Sequence, residues 1–272
     1  MRWFNEIIIR LNVNTPYFLF AIVRTPAIRV RDVFSMIRAK KPFALARYCD
    51  GEYFLMAKKA MVIYPDMDNW AIPSRETKLG KALLETIHNP LDGLYYALPL
   101  FYSYESDVVK SRRILFFYRM HVKQKKRYIT STTIFVNANY KVFLTELKNM
   151  NKEVVLFANE HANIDGFPWK VKEYYPISTN CVKFFEEHGD DFIKDIRRLA
   201  KKYNDTLFVA CAGPLGNIIS YEGWKENNAN TYIDFGSAFD EFLFGRKTRP
   251  YHDPNNFYST IEDGKFNAKP LI

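Results

Sequence analysis

Two carboxylates stand two positions apart in the segment Arg47-Tyr48-Cys49-Asp50-Gly51-Glu52, where a short apolar run hands over to a helical pattern. With Gly51 between them to let the backbone turn, Asp50 and Glu52 can both reach one hard cation, or one cation and a ribose. Magnesium and manganese prefer oxygen ligands and often keep several waters, so one or two protein carboxylates plus substrate phosphate oxygens complete a shell. Such an ion neutralises charge on a nucleotide diphosphate as it leaves. Arg47, at the end of the apolar run, can grip phosphate with two parallel hydrogen bonds or pair with either carboxylate. The competing reading is structural: Asp50 makes a good N-cap, and Glu52 in the first turn suits the helix dipole without binding anything.

A second segment with chemical potential is Ala212-Gly213-Pro214-Leu215-Gly216-Asn217, again between an apolar run and a helical pattern. Backbone amides at a helix start attract anions, and glycines let a phosphate come close. Gly213, Pro214 and Asn217 are therefore candidate substrate contacts. Asp234, followed by Gly236, ends the next apolar run, a place from which an acidic side chain often reaches a ribose. The spacing is neither a dinucleotide fingerprint nor a P-loop. Glu160 and His161 follow another apolar run and are candidates for a catalytic base or for solvated surface.

The elements that must position these residues read as strand followed by helix. Phe43 to Tyr48 predicts a strand and Glu52 to Met61 a helix. Asp205 to Cys211, Asn217 to Lys225 and Thr231 to Phe235 predict a βαβ unit with parallel strands. Leu94 to Leu98 and Val154 to Ala158 read as further strands, Val142 to Met150 as a helix. Cys181 to Tyr203 reads as an amphipathic helix whose stripe of Val182, Phe185, Phe192, Ile193, Ile196 and Leu199 belongs to a core. The expected class is α/β: a Rossmann-like, open, mostly parallel sheet flanked by helices, with ligands beyond the carboxyl ends of the strands.

At 272 residues the chain suits one large domain, since single cores stop growing near roughly 250 to 300 residues. Residues 1–245 are expected to form it, and the polar, irregular stretch 246–272 to be a tail, or a lid if Arg246, Lys247, Arg249 and His252 close over a diphosphate. Cys49, Cys181 and Cys211 are too scattered for a disulfide framework or a zinc site and fit a reducing compartment. No apolar run approaches the roughly 20 residues that span a bilayer, so a cytoplasmic protein is expected. Peripheral contact with an anionic inner membrane face is a further expectation, through Trp3 and Phe4 and through the basic residues Lys123, Lys125, Lys126, Arg127, Arg112 and Arg113. The net charge of +9 draws any anionic partner; no recognisable module accompanies it for nucleic acid.

Arg-Tyr-Cys-Asp-Gly-Glu, then Ala-Gly-Pro-Leu-Gly-Asn, then Tyr-Ile-Asp-Phe-Gly together resemble the bacterial glycosyltransferases of the GT-D fold. The resemblance covers roughly Phe43 to Phe244. It implies that Asp50 and Glu52 are the catalytic, metal-holding Asp-x-Glu motif, that Gly213 and Pro214 are the late glycine turn, and that Asp234 and Gly236 are the acidic strand end. Arg47, Gly51 and Asn217 join them as substrate contacts. Cys49 departs from the pattern, standing where the family usually has glycine. The implied activity is transfer of a sugar, of the hexosyl type, from a nucleotide donor, a UDP-sugar, with manganese or magnesium. The implied acceptor is a surface polysaccharide, a lipid-linked glycan or a glycoprotein. Two rival readings are an S-adenosylmethionine-dependent methyltransferase, in which Asp50 and Glu52 would be idle, and a non-enzymatic membrane-associated binding protein.

Overall fold

The structure, a computed structural model, describes residues 25–62, 71–99 and 108–260. Trp3 and Phe4 lie outside the described residues. The main sheet has seven strands, all parallel. They are β1 (Ala44–Arg47), β4 (Leu94–Leu98), β5 (Ile129–Ser131), β6 (Glu153–Asn159), β7 (Lys170–Ile177), β8 (Leu207–Cys211) and β9 (Thr231–Asp234), in the order β5-β4-β1-β9-β8-β6-β7. Two-residue strands β2 (Met61–Val62) and β3 (Ala71–Ile72) form a separate antiparallel pair.

Parallel strands are covered on both faces, so central ones are apolar throughout. In β8, Phe208 and Ala210 face one core while Leu207 and Val209 face the other. In β1, Ala44 and Ala46 belong to the first core and Leu45 to the second. The first core is completed by α2 (Asp50–Met56), α3 (Lys78–His88), α4 (Val108–His121), α6 (Cys181–Lys202) and α7 (Leu215–Glu226). The second is completed by α1 (Val30–Arg38), α5 (Tyr140–Lys148) and α8 (Asp240–Phe244). The predicted open, parallel α/β architecture is the one observed.

The strands predicted at 43–48, 94–98, 154–158, 205–211 and 231–235 all form, with ends shifted by at most two residues. β8, α7 and β9 make the expected parallel βαβ unit. The helix after β1 is shorter than predicted because it stops at Met56, where Lys58 takes a left-handed φ of 56°. Both edge strands, β5 and β7, were not anticipated. An edge strand has a neighbour on one side only and tolerates polar residues and proline; Lys172, Glu173 and Pro176 disguise β7. Helix α3 was not anticipated; a Cβ at its Gly80 would meet the Leu55 carbonyl oxygen at 2.7 Å, so glycine permits the close approach of α2 and α3.

Residues 246–260 pack on the second core. Tyr251 and His252 are buried, their rings 5.3 and 5.0 Å from that of Tyr140, and Tyr251 Oη shares a 2.7 Å hydrogen bond with Ser237 Oγ. His252 therefore points inward, while Arg246 and Lys247 stay exposed.

Phe143 is fully buried at the centre of the second core, with ring neighbours Phe34, Phe135, Tyr140, Phe235 and Phe239. Phe143→Ala removes that packing and leaves a cavity, and should cost about 3 to 5 kcal/mol. Urea denaturation checks it: the midpoint should fall with the slope unchanged, and a loss below about 1 kcal/mol would show that the face can collapse around the gap.

Candidate active site

β1 and β9, the first and last strands of the main sheet, lie side by side at its centre. From β1 the chain winds outward through β4 to β5, and the other half is built through β6, β7 and β8 back to β9. Beyond the carboxyl ends of strands at such a reversal is where open α/β sheets hold ligands.

Arg47 ends β1. Its Nε donates to the Thr132 carbonyl at 3.2 Å and its Nη1 to the Phe235 carbonyl at 2.7 Å, tying β1 to the segments that follow β5 and β9. The sequence left open an ion pair with Asp50 or Glu52; the Arg47 guanidinium acts on Asp234, whose carboxyl it pulls down against the effect of burial. The side chain fits because Gly236 has φ +53° and no Cβ; one there would sit 2.4 Å from Arg47 Nη1.

The carboxylate of Asp234 accepts from the Gly236 amide at 2.9 Å and lies against the first turn of α7, where a Cβ on Gly216 would meet it at 2.7 Å. Gly216 thus has a positioning role that its motif did not reveal. Burial drives the Asp234 carboxyl up to about 6, against the opposing pull of Arg47 and two backbone donors.

Helix α2 begins differently from the expectation. Cys49, not Asp50, holds the N-cap position, and its amide donates to Glu52 Oε2 at 2.7 Å. Cys49 adopts φ −130°, which requires no glycine, so the departure from the GT-D pattern leaves the turn intact. Gly51 likewise is not at a tight turn. It lies inside the first helical turn with open space where a Cβ would be, and its amide donates to Asp50 Oδ1 at 3.0 Å. Glu52 is buried, not solvated on the first turn. Burial pushes its carboxyl up to about 7, the negative charges of Asp234 and Asp50 add to the rise, and backbone donors oppose it.

Asp50, Glu52, Asp234 and Arg47 are thus brought into one electrostatic neighbourhood from α2, β9 and β1. On the far side of Asp234, Gly213 has φ +53° with open space beside it and Pro214 caps α7. Asn217, in the first turn of that helix, is fully buried with no hydrogen-bond partner for Oδ1 or Nδ2, and Thr132 Oγ1 is in the same condition. Such groups cost roughly 1 to 3 kcal/mol each when left unpaired. Two contributors were not legible in advance: Thr132, in an undistinguished Thr-Ser-Thr-Thr run, and Tyr118, whose hydroxyl donates to the Cys49 carbonyl at 2.6 Å from α4. Glu160 and His161 follow β6, two strands from β9, with side chains 44 % and 78 % exposed.

The donor chemistry fits a hard divalent cation. Its candidate ligands are carboxylate oxygens whose mutual repulsion and burial a positive ion offsets. Among the described residues no three His, Cys, Asp or Glu side chains enclose a metal by themselves, so an ion here would share its shell with substrate oxygens and water.

The raised carboxyls have a consequence for the metal-free protein. Glu52 holds its proton in the fold up to about pH 7, against an ordinary 4.5. Its contribution is therefore complete below pH 4.5 and lost as pH rises through 7. Gln can still accept from the Cys49 amide and carries no charge to desolvate. In chelator, Glu52→Gln should flatten the stability profile across that window and leave the variant more stable above it, by on the order of 2 to 3 kcal/mol. Urea titrations on either side of the window measure this, and a variant less stable than the parent at high pH would contradict it.

The sequence matches no protein-family model and, significantly, no curated protein. Among solved structures, a protein of domain of unknown function 1792, described as having a distinct glycosyltransferase fold, aligns with a TM-score of 0.51 at 14 % identity, covering 79 % of this chain and 80 % of that one. A new glycosyltransferase of the same domain from Streptococcus sanguinis aligns with a TM-score of 0.53 at 15 % identity over 89 % and 94 % of the two chains. The chain thus shares the fold of these glycosyltransferases, along nearly the whole length of the second.

Proposed function

We propose that this protein is a metal-dependent glycosyltransferase that moves a sugar from a nucleotide donor, a UDP-sugar, to a surface glycan, a lipid-linked glycan or a glycoprotein. The observation that carries the reading is the convergence of Asp50, Glu52, Asp234 and Arg47 in one electrostatic neighbourhood at the sheet reversal, in a fold shared with glycosyltransferases. The methyltransferase reading leaves Asp50 and Glu52 without work, although the fold bears the cost of burying Glu52.

In this reading the residues divide the task by chemistry. Asp50 and Glu52 hold manganese or magnesium, with Asp234 close enough to contribute field. A bound ion of this kind supplies positive charge to the departing diphosphate. The turn at Gly213 leaves space, which any side chain would take away, for a phosphate to approach the positive end of the α7 dipole; the Leu215 and Gly216 amides already donate to the Ala212 and Gly213 carbonyls at 3.2 and 2.9 Å. Asn217 offers a buried amide to a donor group that can both give and accept a hydrogen bond. Arg47 and Asp234 hold the floor of the site. Loss of a proton from Glu52, which the fold resists, is coupled to arrival of the cation, so donor affinity should rise with pH.

Because Cys49 holds the N-cap position, Asp50→Asn leaves the helix start unaltered, and a neutral amide is a poor ligand for a hard ion. Calorimetry with UDP should show saturable binding that requires manganese in the parent protein. In Asp50→Asn binding should weaken by about 100-fold or more, with melting unchanged. Gly213→Asn provides an independent arm, since Asn tolerates the left-handed backbone but fills the adjoining space; it should weaken UDP about tenfold or more at equal fold stability. Metal-independent UDP binding, or unaltered affinity in both folded variants, would overturn the assignment.

A further inference from the structure

From Val108 to Tyr128 the sequence contains eight lysines and arginines and no aspartate or glutamate. Much of this stretch is helix α4, and its two sides differ. On one side Ile114, Leu115 and Tyr118 are buried, Tyr118 Oη holds the Cys49 carbonyl, and the Phe117 ring lies 5.3 Å from that of Tyr53 in α2. On the other side Phe116 is 50 % and Met120 56 % exposed; among the described residues these are the exposed large hydrophobic side chains. They sit one helical turn apart, so they form a single apolar spot.

That spot is set in positive charge. Arg113 and Arg119 are exposed on the same side of the helix, and Lys123, Lys125, Lys126 and Arg127 are exposed just beyond its end. Asp92 lies 2.7 Å from Lys125 and 4.0 Å from Arg127 and offsets part of the charge at the far end. A polyanion in solution needs the cations but not the apolar pair, whereas an apolar protein groove needs the pair but gains nothing from the cations. An anionic bilayer meets both demands, with phosphate headgroups over an apolar boundary reached by side chains of this length.

We propose that the outer face of α4 docks on an anionic membrane surface, with Phe116 and Met120 entering the headgroup–acyl boundary and the surrounding arginines and lysines engaging lipid phosphates. Of the basic residues expected from sequence to meet a membrane, Arg113 is on this face and Lys123, Lys125, Lys126 and Arg127 follow its end, and α4 supplies the apolar anchors. The inner face of the same helix braces Cys49, next to Asp50, so docking holds the candidate active site beside the lipid surface. The docking stands on its own observations and does not require the proposed transferase activity.

The test is sedimentation of the full chain with vesicles of phosphatidylcholine alone or mixed with phosphatidylglycerol. The parent protein should bind the mixed vesicles, bind neutral ones at least about tenfold more weakly, and lose affinity as salt shortens the screening length below about 8 Å. Phe116→Ser with Met120→Ser should weaken binding about tenfold at unchanged melting temperature. Should that pair disturb the fold, Phe116→Trp reports directly: added vesicles should shift its emission to the blue, and lipids brominated near the headgroup should quench it. Absence of binding to mixed vesicles, full binding by the folded serine variant, or Phe116→Trp emission indifferent to vesicles would overturn the proposal. So would binding of single-stranded RNA as tight as that of the vesicles, which would mark the face as a general polyanion surface.

Discussion

One guanidinium organises the functional end of this molecule. Arg47 finishes β1, yet its side chain is spent on the carbonyls of Thr132 and Phe235, the segments that follow β5 and β9. A strand end is where backbone hydrogen bonding stops and the chain is free to diverge. By bonding across three such ends, Arg47 keeps them in register with one another and brings Asp234 into its own field. Lysine could not do this, since its single ammonium lacks the planar fork that reaches two carbonyls at once. Gly236 is the corollary, because the fork occupies the volume that any other residue would need for its Cβ.

Around this anchor the fold accepts electrostatic strain. Glu52 and Asp234 are buried within range of one another and of Asp50, and each is displaced toward its neutral form. A sequence selected for stability alone would not bring acidic groups together there, and sites that work are where folds accept such costs. Asn217 and Thr132 add to the imbalance with buried polar atoms that lack protein partners. On the proposed reading, a positive ion together with a polar, oxygen-rich ligand would relieve both the charge repulsion and the unmet hydrogen bonding.

The central strands were legible in the sequence because burial on both faces writes an uninterrupted apolar run, as in Leu207-Phe208-Val209-Ala210. The edges were not, since β5 is three residues long and β7 carries lysine, glutamate and proline that a one-sided strand can bear. The candidate site was readable as two motifs and a strand end, each equally readable as ordinary capping. The meeting of those motifs was hidden, because adjacency of β1 with β9 depends on crossovers that leave no local mark. Capping itself was misassigned: Cys49 is seldom considered for an N-cap position, and the bond from its amide to Glu52 shows only in three dimensions. Thr132 and Tyr118 gave no signal, since an unpaired hydroxyl and a tyrosine bonded to a distant carbonyl are properties of packing alone.

The place of β9 in the sheet also orders events during synthesis. It is the last strand of the main sheet to leave the ribosome, yet it fills the slot between β1 and β8. Until it emerges, β1-β4-β5 and β8-β6-β7 are two separate half-sheets, each with an inner edge of unpaired amides and carbonyls and strongly apolar side chains. Such edges are templates for pairing with other chains. The nascent protein therefore carries its greatest aggregation hazard just before its central strand arrives, when the chain has emerged past residue 211 but not yet past residue 231 and both inner edges are bare.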